Sequence, residues 1–170
     1  DMADAAYEFY GRPSDKLNII GITGTKGKTS IAYLTESILT HARKRVSALG
    51  TVNYRINGQV ECAAPNTTPA ALPLFKLMHK MVARQSEYLV MEVSSHALDQ
   101  QRVRRMDFNV AVFTNLQRDH LDYHLTFDNY FNAKRKLFEN LVHPLNKKQN
   151  RAAVINTDDP YGRRLAEELK

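Results

Sequence analysis

Leu17-Asn-Ile-Ile-Gly21-Ile-Thr-Gly24-Thr-Lys-Gly27-Lys28-Thr29-Ser30 opens as an apolar, β-branched run and closes on glycines followed by Lys-Thr-Ser. Its first part, residues 17–22, reads as a buried strand; beyond it, Ile31, Leu34 and Ile38 fall at helical spacing over residues 30–41. A strand, a glycine-rich turn and a helix in that order make a phosphate-binding loop. Glycines let backbone N–H groups turn toward an anion, and the helix N-terminus adds partial positive charge. Lys28 reaches terminal phosphates, and Thr29 places a hydroxyl where magnesium binds. Five residues separate Gly21 from Gly27, one more than the strict Walker spacing, so the working unit is Gly24-x-x-Gly27-Lys28-Thr29.

Outward from this loop, strands and helices alternate. Upstream, a short helix over residues 3–10 ends at Gly11, followed by Pro13, and reads as a linker tail. Downstream come a strand at 46–49 and a hairpin of strands 52–56 and 60–63 around Asn57-Gly58. The polar loop 65–69 opens a helix over 70–84, with Leu72, Phe75, Met78 and Val82 near one stripe. Strands recur at 88–91, 108–114 and 152–155, helices at 127–138 and from Pro160 onward. The order predicts an α/β fold: a mostly parallel sheet with helices on both faces and a small β-hairpin. Ligands in such a fold bind beyond the carboxyl ends of the strands.

With 170 residues, 43% of them apolar, the chain suits one domain with a real core. No apolar run approaches the roughly 18 residues of a membrane span, and the first residues lack a signal-peptide pattern, so a soluble, cytoplasmic protein with no membrane partner is expected. The single cysteine, Cys62, cannot form an internal disulfide and reads as a small half-buried side chain. A net charge of +6 and a pI near 9.5 suit a polyanionic partner, either nucleic acid or a small phosphorylated substrate. The basic residues lie in short groups that read as solvated faces, and few aromatics interleave with them. A basic nucleic-acid-binding module is therefore the weaker alternative, and no nucleic-acid partner is expected.

Three further places carry chemistry. Glu92 ends the strand run Tyr-Leu-Val-Met-Glu and so emerges at the same sheet edge as the loop. It is either the carboxylate that holds a nucleotide's metal or an ordinary strand-end acid. After the strand at 108–114, Asp119, His120, Asp122 and His124 crowd one loop, a composition that suits a second metal site. Lys134 falls on the apolar stripe of Phe127, Tyr130, Phe131, Leu137 and Phe138. A lysine there is either a snorkelling side chain whose head reaches water or a desolvated, neutral amine.

Together these residues resemble the Mur ligase family, and within it the MurE type. The resemblance rests on ThrGlyThrLysGlyLysThrSer at 23–30, AsnThrThrPro at 66–69, GluValSerSerHisAlaLeu at 92–98, ThrAsnLeu with AspHisLeuAspTyrHis at 114–124, AlaLys134-x-x-LeuPhe, and AsnThrAspAspPro at 156–160. It implies an ATP-dependent ligase that adds the third amino acid, diaminopimelate or L-lysine, to UDP-N-acetylmuramoyl-L-alanyl-D-glutamate through an acyl phosphate. It also implies roles. Gly24, Thr25, Lys26, Gly27, Lys28, Thr29 and Ser30 would bind ATP; Thr29 and Glu92 would share one magnesium; His120 and Lys134, carrying carbon dioxide as a carbamate, would hold a second. Thr67, Thr68, Ser94, Gln100 and Arg102 match contacts to the UDP-muramoyl dipeptide. On this resemblance residues 1–14 are a linker from an N-terminal UDP-binding domain, and 15–170 are a partial central ATP-binding domain. The C-terminal amino-acid-binding domain would be absent, leaving a monomeric piece inactive on its own. Lys26 stands where asparagine is commonest, and Leu125 where glycine is common. The enzyme alternative is another member of the same superfamily, such as folylpolyglutamate synthase or a different Mur ligase; GlyLysThrSer argues against the first, whose family looks like GlyLysGlySer, and AsnThrThrPro with GluValSerSerHis against the second.

Overall fold

The computed structural model describes residues 2–169. Its strands are β1 (Asn18–Thr23), β2 (Val46–Leu49), β3 (Asn53–Ile56), β4 (Gln59–Ala63), β5 (Tyr88–Glu92), β6 (Val110–Phe113) and β7 (Ala152–Ile155). They form one sheet in the order β4-β3-β2-β5-β1-β6-β7, parallel except at one edge, where β3 runs antiparallel to both β2 and its hairpin partner β4. Asn57 (φ 50°) and Gly58 (φ 80°) supply the left-handed pair that a two-residue hairpin turn needs, which is why Asn-Gly stands there.

Alternation along the strands sorts side chains onto two faces. On one, Ile20, Ile22, Val46, Val90 and Val112 meet α2 (Lys28–His41) through Ile31, Ala32 and Leu39. On the other, Ile19, Leu89, Met91, Ala111 and Phe113 join a much larger core. That core takes in α1 (Met2–Phe9), α3 (Ala71–Ala83), α6 (Phe127–Val142) and α7 (Pro160–Glu168). Two short helices, α4 (Ser95–Asp99) and α5 (Leu121–His124), and a 3₁₀ turn at Pro13–Lys16 complete the chain. The asymmetry follows from strand order. The chain runs from β1 through α2 to β2, then returns to insert β5 between them and moves the opposite way to β6 and β7. Right-handed crossovers then place α2 on one face and the later helices on the other. The loop after β1 therefore departs toward one face while those after β5 and β6 depart toward the other. A crevice opens between them at the carboxyl ends.

Several local expectations change. Leu34 and Ile38 of α2 are exposed; beside Ile31, Ala32 and Leu39 the helix also turns Glu36 inward, its carboxylate buried by pairing with Arg55 of β3. In α3 the buried residues are Ala71, Leu74, Phe75, Leu77, Met78 and Met81, and Leu72 is exposed, because a helix laid across a sheet and α1 together buries a wider arc than one stripe. Cys62 is exposed, since β4 is an edge strand. The stretch expected as a tail is docked: Ala3, Ala6 and Tyr7 are buried, and the Tyr7 ring meets Phe75 edge-on at 5.9 Å.

Candidate active site

The phosphate loop crosses the crevice at the end of β1. Gly24 (φ 146°) and Gly27 (φ 83°) take backbone conformations that L side chains avoid, and a Cβ on Gly24 would collide with Thr114 Oγ1. The loop is pinned along one side by the segment after β6. Thr25 N donates to Asn115 O (2.9 Å), Lys26 N to Asn115 Oδ1 (3.0 Å), and Thr114 Oγ1 to Lys26 O (2.7 Å). Thr25 Oγ1 meets the Tyr130 hydroxyl at 3.1 Å. Lys28 Nζ folds back to donate to Gly24 O (2.8 Å) and Thr25 O (2.9 Å). Burial pushes its pKa down, opposed by the charges of Glu92 and Asp119. The Lys26 and Ser30 side chains are exposed.

Thr29, in the first turn of α2, donates to Glu92 Oε2 at 3.0 Å. Glu92 is 1% exposed at the end of β5, so the strand-end acid faces inward. Thr51, just past β2, also holds this carboxylate, its N–H on Oε1 (3.0 Å) and its hydroxyl on Oε2 (3.1 Å). A hydroxyl and a carboxylate oxygen side by side at the head of a phosphate loop form a donor set of the hard-oxygen kind that suits magnesium beside a triphosphate. The residues fit a nucleotide with its metal.

Next to this lies a second cluster. Thr68 is buried and donates to Glu92 O (2.8 Å), while Ser94 N donates to Thr68 Oγ1 (3.0 Å). Arg102 Nη1 donates to Thr68 O (3.0 Å) and its Nε to Gln100 Oε1 (2.9 Å). Thr67 Oγ1 lies 3.2 Å from Thr51 Oγ1. Residues 67, 68, 94, 100 and 102, distant in sequence, thus share one neighbourhood, with a shallow cavity of about 300 Å³ that Asn66, Gln100 and Arg102 help to line.

The loop after β6 divides its metal-capable side chains. His120 is half-exposed, 3.5 Å from Asp119 Oδ2. His124 is buried, with Nε2 2.9 Å from Ser95 Oγ, and burial lowers its pKa. Among the described residues no group of three or more His, Cys, Asp or Glu converges on a metal-sized site. Leu125 adopts φ 68°, a conformation that explains why glycine suits this position. Lys134 is 1% exposed: its Nζ donates to Gly24 O (3.0 Å) and lies 4.4 Å from the centre of the Tyr130 ring. The head does not reach water, which sets aside the snorkelling reading. Burial, with the nearby Lys28 charge adding, drives the Lys134 pKa well below the ordinary lysine value. The His120 ring also touches Tyr130, at 6.0 Å between centres, so both residues stand at one aromatic ring.

Residues 22–170 match the model of the Mur ligase middle domain. The chain belongs to the Mur ligase family. Over 165 residues it is 50% identical to the UDP-N-acetylmuramoyl-L-alanyl-D-glutamate--2,6-diaminopimelate ligase of Geobacter metallireducens, covering 97% of this chain and 32% of that protein. A solved structure of a ligase with the same name is similar with a TM-score of 0.75 and 34% identity, over 89% of this chain and 29% of that one. The fold also matches a Mycobacterium tuberculosis folylpolyglutamate synthase complexed with ADP, at a TM-score of 0.77 and 16% identity, over 99% of this chain and 43% of that one. The chain spans about a third of the length of the curated relatives it matches. No helix among the described residues is long and apolar enough to cross a membrane.

Within this Mur ligase middle domain, the sequence assigns no site role to Thr114, Asn115 or Tyr130, which it places in a motif and on an apolar stripe, and gives no notice of Thr51. The signal for Thr51 was its place: Gly50-Thr51 directly follows a strand of the parallel sheet, at the edge where the other site residues emerge.

Proposed function

We propose that this chain is the nucleotide-binding domain of an ATP-dependent amide ligase that extends UDP-N-acetylmuramoyl-L-alanyl-D-glutamate by one amino acid in peptidoglycan synthesis. The observation that carries the reading is the 3.0 Å contact between Thr29 Oγ1 and Glu92 Oε2, which brings a strand-end carboxylate to the phosphate loop from a site far along the chain. Gly24 to Ser30 hold the triphosphate, with Lys28 leaving Gly24 O and Thr25 O to reach it. Thr29 and Glu92 would hold one magnesium, which would supply charge neutralisation for phosphoryl transfer. Thr67, Thr68, Ser94, Gln100 and Arg102 receive the anionic muramoyl dipeptide, whose carboxylate attacks the γ-phosphate, breaking its bond to the β-phosphate oxygen and releasing ADP. The incoming amine attacks the carbonyl of the acyl phosphate, forming the amide and releasing inorganic phosphate and a proton, and the names of the relatives favour 2,6-diaminopimelate. Lys134, desolvated and inclined to lose its proton, is suited to take up carbon dioxide as a carbamate and, with His120, to hold a second magnesium. The protein works in the cytoplasm as a monomer, without nucleic acid.

The test is a chimera in which this chain replaces the matching segment of the Geobacter metallireducens ligase. Mass spectrometry should detect the amide product with ATP and magnesium, and none when Lys28 is alanine. A folded chimera that binds ATP yet makes no product with either lysine or diaminopimelate would refute the ligase assignment.

A further inference from the structure

Thr51 joins the Glu92 carboxylate beside the phosphate loop to the Asn66–Thr68 loop. Parallel pairing of β2 with β5 places Leu49 beside Met91, so the residues that follow, Gly50-Thr51 and Glu92, emerge together. Gly50 makes the approach possible, since a Cβ there would strike Glu92 Oε1. The Thr51 N–H then fixes Oε1 and its hydroxyl fixes Oε2, the oxygen that also accepts from Thr29. The carboxylate is thereby held in one plane, with Oε2 between two hydroxyls. A hydroxyl has a single proton. Because Thr51 donates its own to Glu92, the 3.2 Å contact with Thr67 must run the other way, Thr67 donating to Thr51 Oγ1. One chain of hydroxyls therefore runs from the Asn66–Thr68 loop through Thr51 to Glu92, and a second arm reaches it from Thr29 on α2.

We infer that Thr51 is a positioning residue: its hydroxyl orients the Glu92 carboxylate for the divalent cation of a bound nucleotide and ties that carboxylate to Thr67. This rests on the phosphate-loop reading. Thr51 is exposed, so its hydroxyl is not needed to fill the core. Valine keeps the shape and the N–H contact to Oε1 but removes the donor to Oε2; serine keeps the donor and removes only a methyl group.

The experiment measures the affinity of the protein for a fluorescent ATP analogue in EDTA and across a magnesium titration, for wild type, Thr51→Val, Thr51→Ala and Thr51→Ser, with circular dichroism confirming the fold. In Thr51→Val and Thr51→Ala the gain in nucleotide affinity brought by magnesium should shrink about tenfold, the scale of one hydrogen bond to a charged group, while metal-free affinity stays within about twofold. Thr51→Ser should match wild type. A wild-type magnesium gain in either hydroxyl-free variant overturns the inference and leaves the phosphate loop standing. So does a loss in Thr51→Ser as large as in Thr51→Val, which would point to the methyl group. No magnesium gain in wild type overturns both readings.

Discussion

Each end of the sheet carries a lysine withdrawn from solvent, half-buried at one end and fully buried at the other, and the two are used differently. At the amino ends of the strands, Lys148 donates to three carbonyls, Ser14 O (2.7 Å), Asp15 O (3.3 Å) and Leu17 O (2.6 Å). Its three protons match three acceptors, so it straps the 3₁₀ turn to the segment before β7 although burial lowers its pKa. At the carboxyl ends, Lys134 is more deeply buried, has one carbonyl partner, Gly24 O, and shares that carbonyl with Lys28. A lysine with every proton placed is structural. A lysine with one carbonyl, shared with a second ammonium, and otherwise an aromatic face is set up to give a proton away. The same contrast holds for the surroundings: the groove near Lys148, with a volume of about 530 Å³, is larger than the cavity beside Arg102, yet no residue of the phosphate loop lines it. Size does not mark the site; convergent donors do.

The sharpest way to break the comparison is to exchange roles. Lys28→Ala should lower nucleotide affinity by about a hundredfold or more with an unchanged melting temperature, whereas Lys148→Met should leave affinity within about twofold. Titration calorimetry decides this, and a large affinity loss in a folded Lys148→Met would show that the amino-end groove is functional. Lys148→Met should instead cost about 1–3 kcal/mol in urea unfolding, because three carbonyls lose their donor.

Lys134→Met should do the opposite and stabilise the fold by about 1 kcal/mol near neutral pH, since methionine fills the same space without a charge to desolvate. The sign of its pH dependence follows from the lowered pKa. Between the folded-state value and the ordinary 10.5, the unfolded chain binds more protons than the folded one, so stability contributed by Lys134 rises with pH across that window. The advantage of methionine should therefore be largest at the acid end and fade as pH approaches 10.5, and a gain that stays constant with pH would contradict a desolvated amine. The smallest expected effect is that of Lys26→Asn. An exposed loop lysine should contribute about twofold to threefold in nucleotide affinity, and that difference should disappear in high salt. A salt-independent loss would instead mean that Lys26 touches the phosphates directly.

Much of this architecture is legible along the chain because its signals are local. The phosphate loop, the Asn57-Gly58 hairpin and the order of strands depend on glycine conformations and periodic patterns that operate over a few residues. Elements of four or five residues, α4 and α5, escaped notice because they are shorter than one full helical repeat of apolar positions. The stripe on α2 was misread because burial there depends on a partner: Glu36 goes inward only because Arg55, nineteen residues away on β3, meets its charge.

What the sequence determined by itself was therefore the set of chemical groups and the sheet edge at which they emerge: Gly24, Lys28 and Thr29 on the loop, Glu92 at a strand end, Lys134 on an apolar stripe. Only the tertiary structure decided how those groups are used. Whether Lys134 snorkels or is sealed in depends on Tyr130 and Gly24 closing around its head, and the choice of Thr51 as a partner of Glu92 depends on β2 lying beside β5. The reason is one of range. Backbone preference and periodicity operate between neighbours in the chain, whereas desolvation and hydrogen-bond saturation operate between neighbours in space.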